Sequence, residues 1–382
     1  MTRLRTIPLA AIVIPVTLSL VQTTPPLGPA LVVVVTVDQL RPDYFNRWKD
    51  QWQGGFRGLL ENGAVFLNGL QDHALTETAP GHATVLSGRD PAHTGIPTND
   101  LGAPDSSSPV IGFPEATGAS PHRFVGTTLV DWMRRQDPGL QFLSVSGKDR
   151  GAILTIGKSK GPVFWYQRGQ FTTSRYYADS LPAWLVAWNA RRGADQLEGT
   201  TWKLLLPDSA YSEVDAEPYE NGGQDYVFPH QLPSDPDRVE RELPEYPWLD
   251  SLTLDVALDG ARALGLGRRA KPDLLAISLS ATDYVGHRWG PDSREIHDHL
   301  LRLDRWLGSF LDSLSTQVPE GRILLVLTAD HGVTSFPEYA QAHGRPGGRI
   351  RLSGLVREAN LAIGRATGDS SVLHEEAGLI YG

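Results

Sequence analysis

Residues 31–38 read LVVVVTVD, an unbroken run of aliphatic and β-branched side chains that stops at an aspartate. Branching at Cβ favours extended backbone, and a run without polar alternation marks a strand covered on both faces, as in a parallel sheet. Comparable runs recur at 141–146 (QFLSVS), 273–280 (DLLAISLS) and 322–330 (RILLVLTAD). Between them lie helical patterns, and in 294–314 Ile296, Leu300, Leu303, Leu307, Phe310 and Leu314 fall near helical spacing. Strands alternating with helices predict an α/β fold, a doubly wound and mostly parallel central sheet with helices on both faces. From about Tyr166 to Trp248 the composition shifts to Trp, Tyr, Pro, Asp and Gln with weak periodicity, which reads as a cap or insertion over the sheet. The predicted domain therefore runs from 30 to 382, with the cap at about 166–248.

The chain has 382 residues, a formal net charge of −9 and no cysteine. An acidic balance argues against a general nucleic-acid binder, which carries a basic face. It leaves anionic substrates open, because local cations or metals reverse the sign inside a cleft. Without cysteine there are no disulfides, no thiolate nucleophile and no thiolate metal ligand, so Asp, Glu and His remain as ligands. Arg3 and Arg5 precede an apolar stretch from Ile7 to Val21 and then a proline-rich exit. This is the pattern of a signal peptide over 1–24, predicting a periplasmic or secreted protein with no stable membrane insertion after cleavage.

Ligands of an open parallel sheet gather beyond the carboxyl ends of its strands. Asp38 follows the first run, Asp283 and His287 follow the third in ATDYVGHRWG, and Asp330 and His331 follow the fourth in ADHG. Taken singly, each has a plainer reading: a helix N-cap for an aspartate, a solvated helix face for the Asp-x-x-x-His pair. Taken together, strand-end oxygen and nitrogen donors suit one or two zinc ions, whereas calcium would want more oxygens and fewer imidazoles. The segment 74–88, ALTETAPGHATVLSG, reads as a strand end, a turn and a helix begun near Pro80. Thr78 would stand immediately before that helix, either as an N-cap or as a nucleophile facing the positive end of its dipole. Thr76 and Thr84 are weaker candidates because neither sits at the turn.

With these residues assembled, the sequence resembles the alkaline phosphatase superfamily, most nearly its type I phosphodiesterase / nucleotide pyrophosphatase branch. The resemblance rests on VVVVTVDQLRPDYF, TAPGHATVLSGRDPAHTGI, SATDYVGHRWGP and LTADHGV, in that order. It implies two Zn2+ ions and a phospho-threonine formed on Thr78. One zinc would be held by Asp38, Asp330 and His331 with Thr78 adjacent, the other by Asp283, His287 and a further histidine near the C-terminus. His343 and His374 fall where the family has peripheral sequence. The expectation is a C-terminally truncated chain whose second site is incomplete.

Lys148 and Arg150 in SGKDRGAIL are similar to the Lys-x-Arg of the threonine-nucleophile monoesterases. They alternate just after the second run, so both would point one way and Asp149 the other, although a pair of solvated charges at a strand end is the plainer reading. A monoester dianion carries an extra charged oxygen that a lysine and a forked arginine can neutralise. Asn99 matches the family asparagine that hydrogen-bonds a phosphoryl oxygen, although beside Pro97 and Asp100 it also suits a turn. The expected function is hydrolysis of small phosphate monoesters. A phosphodiesterase with the same core, and an inactive one-metal binding protein, stand as alternatives.

Overall fold

The computed structural model describes residues 28–319, 321–376 and 378–381. The signal-peptide reading of 1–24 lies outside them. The central sheet has six strands: β1 (Leu31–Val37), β2 (Phe142–Ser146), β3 (Val163–Gln167), β4 (Gln170–Thr172), β5 (Asp273–Leu279) and β6 (Ile323–Thr328). Their spatial order is β4-β3-β2-β5-β1-β6, parallel throughout except for the β3–β4 hairpin at one edge. This is the doubly wound, mostly parallel α/β fold expected.

Alternation along β1 divides the core. Leu31, Val33, Val35 and Val37 join one apolar cluster, which includes Leu254 and Val256 of α3 (Trp248–Leu264), Val285 of α4 (Ala281–Trp289) and Leu300 of α5 (Arg294–Ser315). Val34 joins the other, with Ala79 and Ala83 of α1 (Thr78–Val85) and Ile153 and Leu154 of α2 (Asp149–Ile156). Both faces of the central strands are therefore dry, the condition that a continuous hydrophobic run requires. All six periodic residues expected on α5 are buried. Among the described residues, no helix is long and apolar enough to cross a membrane.

The structure departs from several sequence expectations. Among the described residues the last run is not covered on both faces: there β6 pairs with β1 alone, and Leu324 and Val326 are 50% and 41% exposed, while Ile323, Leu325 and Leu327 pack on the core. An apolar run alone cannot separate a central strand from an edge strand. Residues 74–77, expected to include a strand end, have no regular structure. The helix behind them begins at Thr78 rather than near Pro80, with Glu77 in extended backbone as its N-cap. Lys148 and Arg150 do lie just after a strand, but without strand-like alternation: β2 stops at Ser146, whose hydroxyl accepts the Lys148 N–H at 3.0 Å and helps turn the chain into α2. The segment 166–248 opens inside the sheet, with the end of β3 and all of β4. It then sends Phe171, Trp188, Trp202, Leu232 and Tyr246 into the same core as α3, α4 and α5.

Candidate functional site

Parallel strands share one carboxyl edge, and the site residues collect there. Asp38 leaves β1 with its N–H bonded to the Leu279 carbonyl at the end of β5 (2.9 Å), which pins it between the two strands. Asp283 lies in the first turn of α4, which begins immediately beyond β5. Asp330 and His331 follow β6. Thr78 opens α1, which approaches Asp330 so closely that a Cβ on Gly81 would stand 2.4 Å from the Asp330 carbonyl oxygen. Only glycine permits that contact.

Lys148 joins three of these groups. Its ammonium lies 2.7 Å from Asp38 Oδ2, 2.5 Å from Asp283 Oδ2 and 3.3 Å from Thr78 Oγ1. Burial works against the lysine's charge, but the Asp38 and Asp283 carboxylates outweigh it and raise its pKa. For Asp283, burial and the neighbouring Asp38 charge favour protonation, yet Lys148 and His287 prevail and hold it below the ordinary carboxylate range. Asp330 is buried too, and His82, His331 and Lys148 overcome that burial to hold it at about 2.

The remaining lone pairs show what the cluster lacks. Asp330 Oδ1 accepts the N–H groups of Gln39 (3.1 Å) and His331 (2.9 Å), while the buried Oδ2 has no hydrogen bond of good geometry, although His82 Nδ1 stands 2.9 Å away. Asp38 Oδ2 takes Lys148, and Oδ1 likewise lacks a well-aligned hydrogen bond. His331 lies between these two oxygens, its Nε2 3.3 Å from Asp38 Oδ1 and 3.7 Å from Asp330 Oδ2. Its Nδ1 is 2.9 Å from the Gly332 carbonyl, which leaves Nε2 as the nitrogen facing the carboxylates. Burial works against a charged His331, but Asp38 and Asp330 raise its pKa to about 10. Asp38, Asp330 and His331 each offer a ligand atom within 4.8 Å of the others, and with one buried oxygen of each carboxylate lacking a well-aligned hydrogen bond they fit a divalent metal of borderline softness. Asp283 and His287 form a less complete pair, Nε2 to Oδ1 3.1 Å, with the imidazole 68% exposed and both Asp283 oxygens already accepting hydrogen bonds.

Asn99 accepts the Ala79 N–H through Oδ1 (2.9 Å), so its amide NH2 is the end left to address a ligand. Glu77 accepts the Asn99 N–H at 2.8 Å and fixes that loop to the start of α1. The Nε of Arg150 is buried without a partner, and Nη1 is 3.6 Å from Asp149. The candidate residues predicted from sequence therefore gather at one edge, with His287 at its exposed rim. Sequence reasoning assigned nothing to Gln39, Glu77 or His82. His82 lies one helical turn after Thr78, a spacing that would have flagged it. Its Nδ1 lies 2.9 Å from the Thr78 carbonyl and 2.9 Å from Asp330 Oδ2, with Ser278 Oγ on the other nitrogen at 2.7 Å.

The family model for type I phosphodiesterase / nucleotide pyrophosphatase matches residues 32–358, from the first strand through every residue described above. The chain belongs to that family. Among the family's curated relatives, alkaline phosphatase PhoV of Synechococcus elongatus is 36% identical over 344 residues, 85% of this chain and 62% of the relative. Alkaline phosphatase PafA of Elizabethkingia meningoseptica is 32% identical over 375 residues, 90% of this chain and 67% of the relative. The crystal structure of wild-type PafA superposes with a TM-score of 0.84 at 30% identity, covering 93% of this chain and 72% of that one. The chain thus spans about two thirds of the length of these relatives.

Behind the site, Asp250 of α3 accepts the Ala281 N–H at 2.9 Å and so anchors the start of α4, which carries Asp283. Its carboxyl is fully buried, and that burial, only partly offset by backbone N–H groups, raises its pKa to about 7. An acid whose folded pKa exceeds its unfolded value destabilises the fold as pH rises between the two values. Asp250→Asn should therefore be more stable than the wild-type chain at about pH 8, by up to a few kcal/mol, with the gain vanishing near pH 4. Chemical denaturation at both pH values checks this, and an equal effect at each would contradict the burial argument.

Proposed function

We propose that this chain carries the catalytic centre of a metal-dependent phosphate monoester hydrolase of the alkaline phosphatase type, acting through a phospho-threonine on Thr78. The observation that carries the reading is the cluster of Asp38, Asp330 and His331, in which Asp38 Oδ1 and Asp330 Oδ2 lack well-aligned hydrogen bonds and face His331 beside the Thr78–Lys148 contact. Asp38, Asp330 and His331 would hold one zinc, with Thr78 adjacent, and Asp283 with His287 would contribute to a second. When bound, such metals supply Lewis-acid charge for an activated hydroxyl and a departing oxygen.

The chain's own groups divide the remaining work. Thr78 stands at the positive end of α1, where an oxyanion is favoured, and its Oγ1 attacks phosphorus in line with the leaving oxygen. The Lys148 ammonium, 3.3 Å from that hydroxyl, stabilises the oxyanion and the incoming phosphoryl group together. The Asn99 NH2 and the Arg150 guanidinium bind the non-bridging oxygens, and the forked arginine suits a dianion. Small phosphate esters are the substrates this reading implies, in the periplasm or outside the cell.

The test compares p-nitrophenyl phosphate with bis-p-nitrophenyl phosphate before and after chelation. The monoester should be preferred, and chelation should abolish its turnover. Preference for the diester would replace this reading with a phosphodiesterase. Metal counting gives a separate prediction: one zinc held tightly by Asp38, Asp330 and His331, and a second held more weakly, because Asp283 and His287 supply two ligands where about three are usual at a catalytic zinc. Two equally tight ions would mean that another side chain completes the second set.

A further inference from the structure

Gln39 is neutral, is no metal ligand and follows Asp38 directly, yet it is only 2% exposed and has φ +67°. Side chains with a Cβ rarely adopt that left-handed backbone, and its presence at a site is a reason to ask what it accomplishes. Here the turn aims two donors of one residue at two carboxylates. The main-chain N–H donates to Asp330 Oδ1 at 3.1 Å, and the side-chain Nε2 donates to Asp283 Oδ1 at 2.8 Å. Asp330 belongs to the complete ligand set and Asp283 to the incomplete one, so Gln39 links the two.

We infer that Gln39 is a positioning residue that orients Asp283 for the second metal and ties it to the first ligand set, an inference that rests on the metal-dependent reading above. A carboxylate only accepts, so the amide NH2 must face Asp283 and the carbonyl end must point away. It points at Gly286, where a Cβ would stand 2.1 Å from Gln39 Oε1. The glycine immediately before His287 therefore keeps open the space that the amide occupies. Fixing one oxygen of Asp283 in this way limits its rotation and leaves its orientation independent of Lys148, which holds the other oxygen.

The experiment is a Co2+ titration of the full chain against a competing chelator, read by visible absorption, with melting temperature measured in parallel. Q39G keeps the main-chain donor and accepts positive φ, while Q39A also lacks only the side-chain donor. Both should weaken the looser cobalt ion by about 10- to 100-fold and leave the tighter one near wild type. G286A changes neither ligand but displaces the amide, so it should produce the same loss, and no additional loss in the Q39A background. Cobalt binding unchanged in Q39A and Q39G, or losses that add in the double variant, would overturn the inference. A wild-type chain that takes up no cobalt would instead sink the metal-dependent reading, and this inference with it.

Discussion

Thr78→Ala should abolish phospho-enzyme formation and reduce monoester turnover by about four powers of ten or more, the scale of losing a covalent nucleophile. The fold should tolerate the change. Thr78 is buried, but the recorded contact of its hydroxyl is with Lys148 at 3.3 Å, and Lys148 keeps its shorter contacts to Asp38 and Asp283. The helix also survives, because the N-cap position belongs to Glu77 and alanine is a good helix former. Thr78→Ser, which retains an attacking oxygen, should still form the covalent intermediate. Acid-quenched chain analysed by mass spectrometry reads the result directly, as the gain of one phosphoryl group. A covalent adduct in the alanine variant would shift attention to Thr76, two residues earlier and exposed.

Replacing Lys148 and Arg150 together with alanine should separate monoesters from diesters. Each charge-assisted contact to the extra oxygen of a dianion is worth ~1.5–3 kcal/mol, so losing both predicts a fall in monoester kcat/KM of about 10²- to 10⁴-fold. Diester hydrolysis should fall far less, because a diester presents no second charged oxygen. Metal uptake gives an independent control. Removing the Lys148 ammonium frees Asp38 Oδ2 and Asp283 Oδ2, so affinity for a divalent ion should hold or rise. Equal losses on both ester classes would show that the two residues do not read the dianion.

Much of the frame was legible because hydrophobic patterning is local. The run 31–37 had to be a buried strand, and β1 has those bounds; the six-residue stripe of α5 had to face a core, and it does. Strand-end carboxylates were legible for the same reason, since the ends of parallel strands define a common edge whatever lies between them. Turns were harder. The position of Lys148 and Arg150 after a strand was legible but their relative direction was not, because the Ser146 hydroxyl that helps turn the chain into α2 leaves no periodic trace. The edge position of β6 was invisible as well, for a strand's own residues do not say how many neighbours it has.

By itself, then, the sequence determined the layered α/β architecture and the residue types available for chemistry, with carboxylates and imidazoles at strand ends and no thiols. Only the tertiary structure decided how those groups are shared out. Asp330 spends one oxygen on the Gln39 and His331 N–H groups and turns the other toward His82, Asp38 gives one oxygen to Lys148 and turns the other toward His331, and Asp283 accepts one donor on each oxygen. Apart from the Asp330–His331 contact, the hydrogen bonds from Gln39 and Lys148 join residues more than a hundred positions apart. They follow from hydrogen-bond geometry over a few ångströms, which exists only once the strands have aligned their ends.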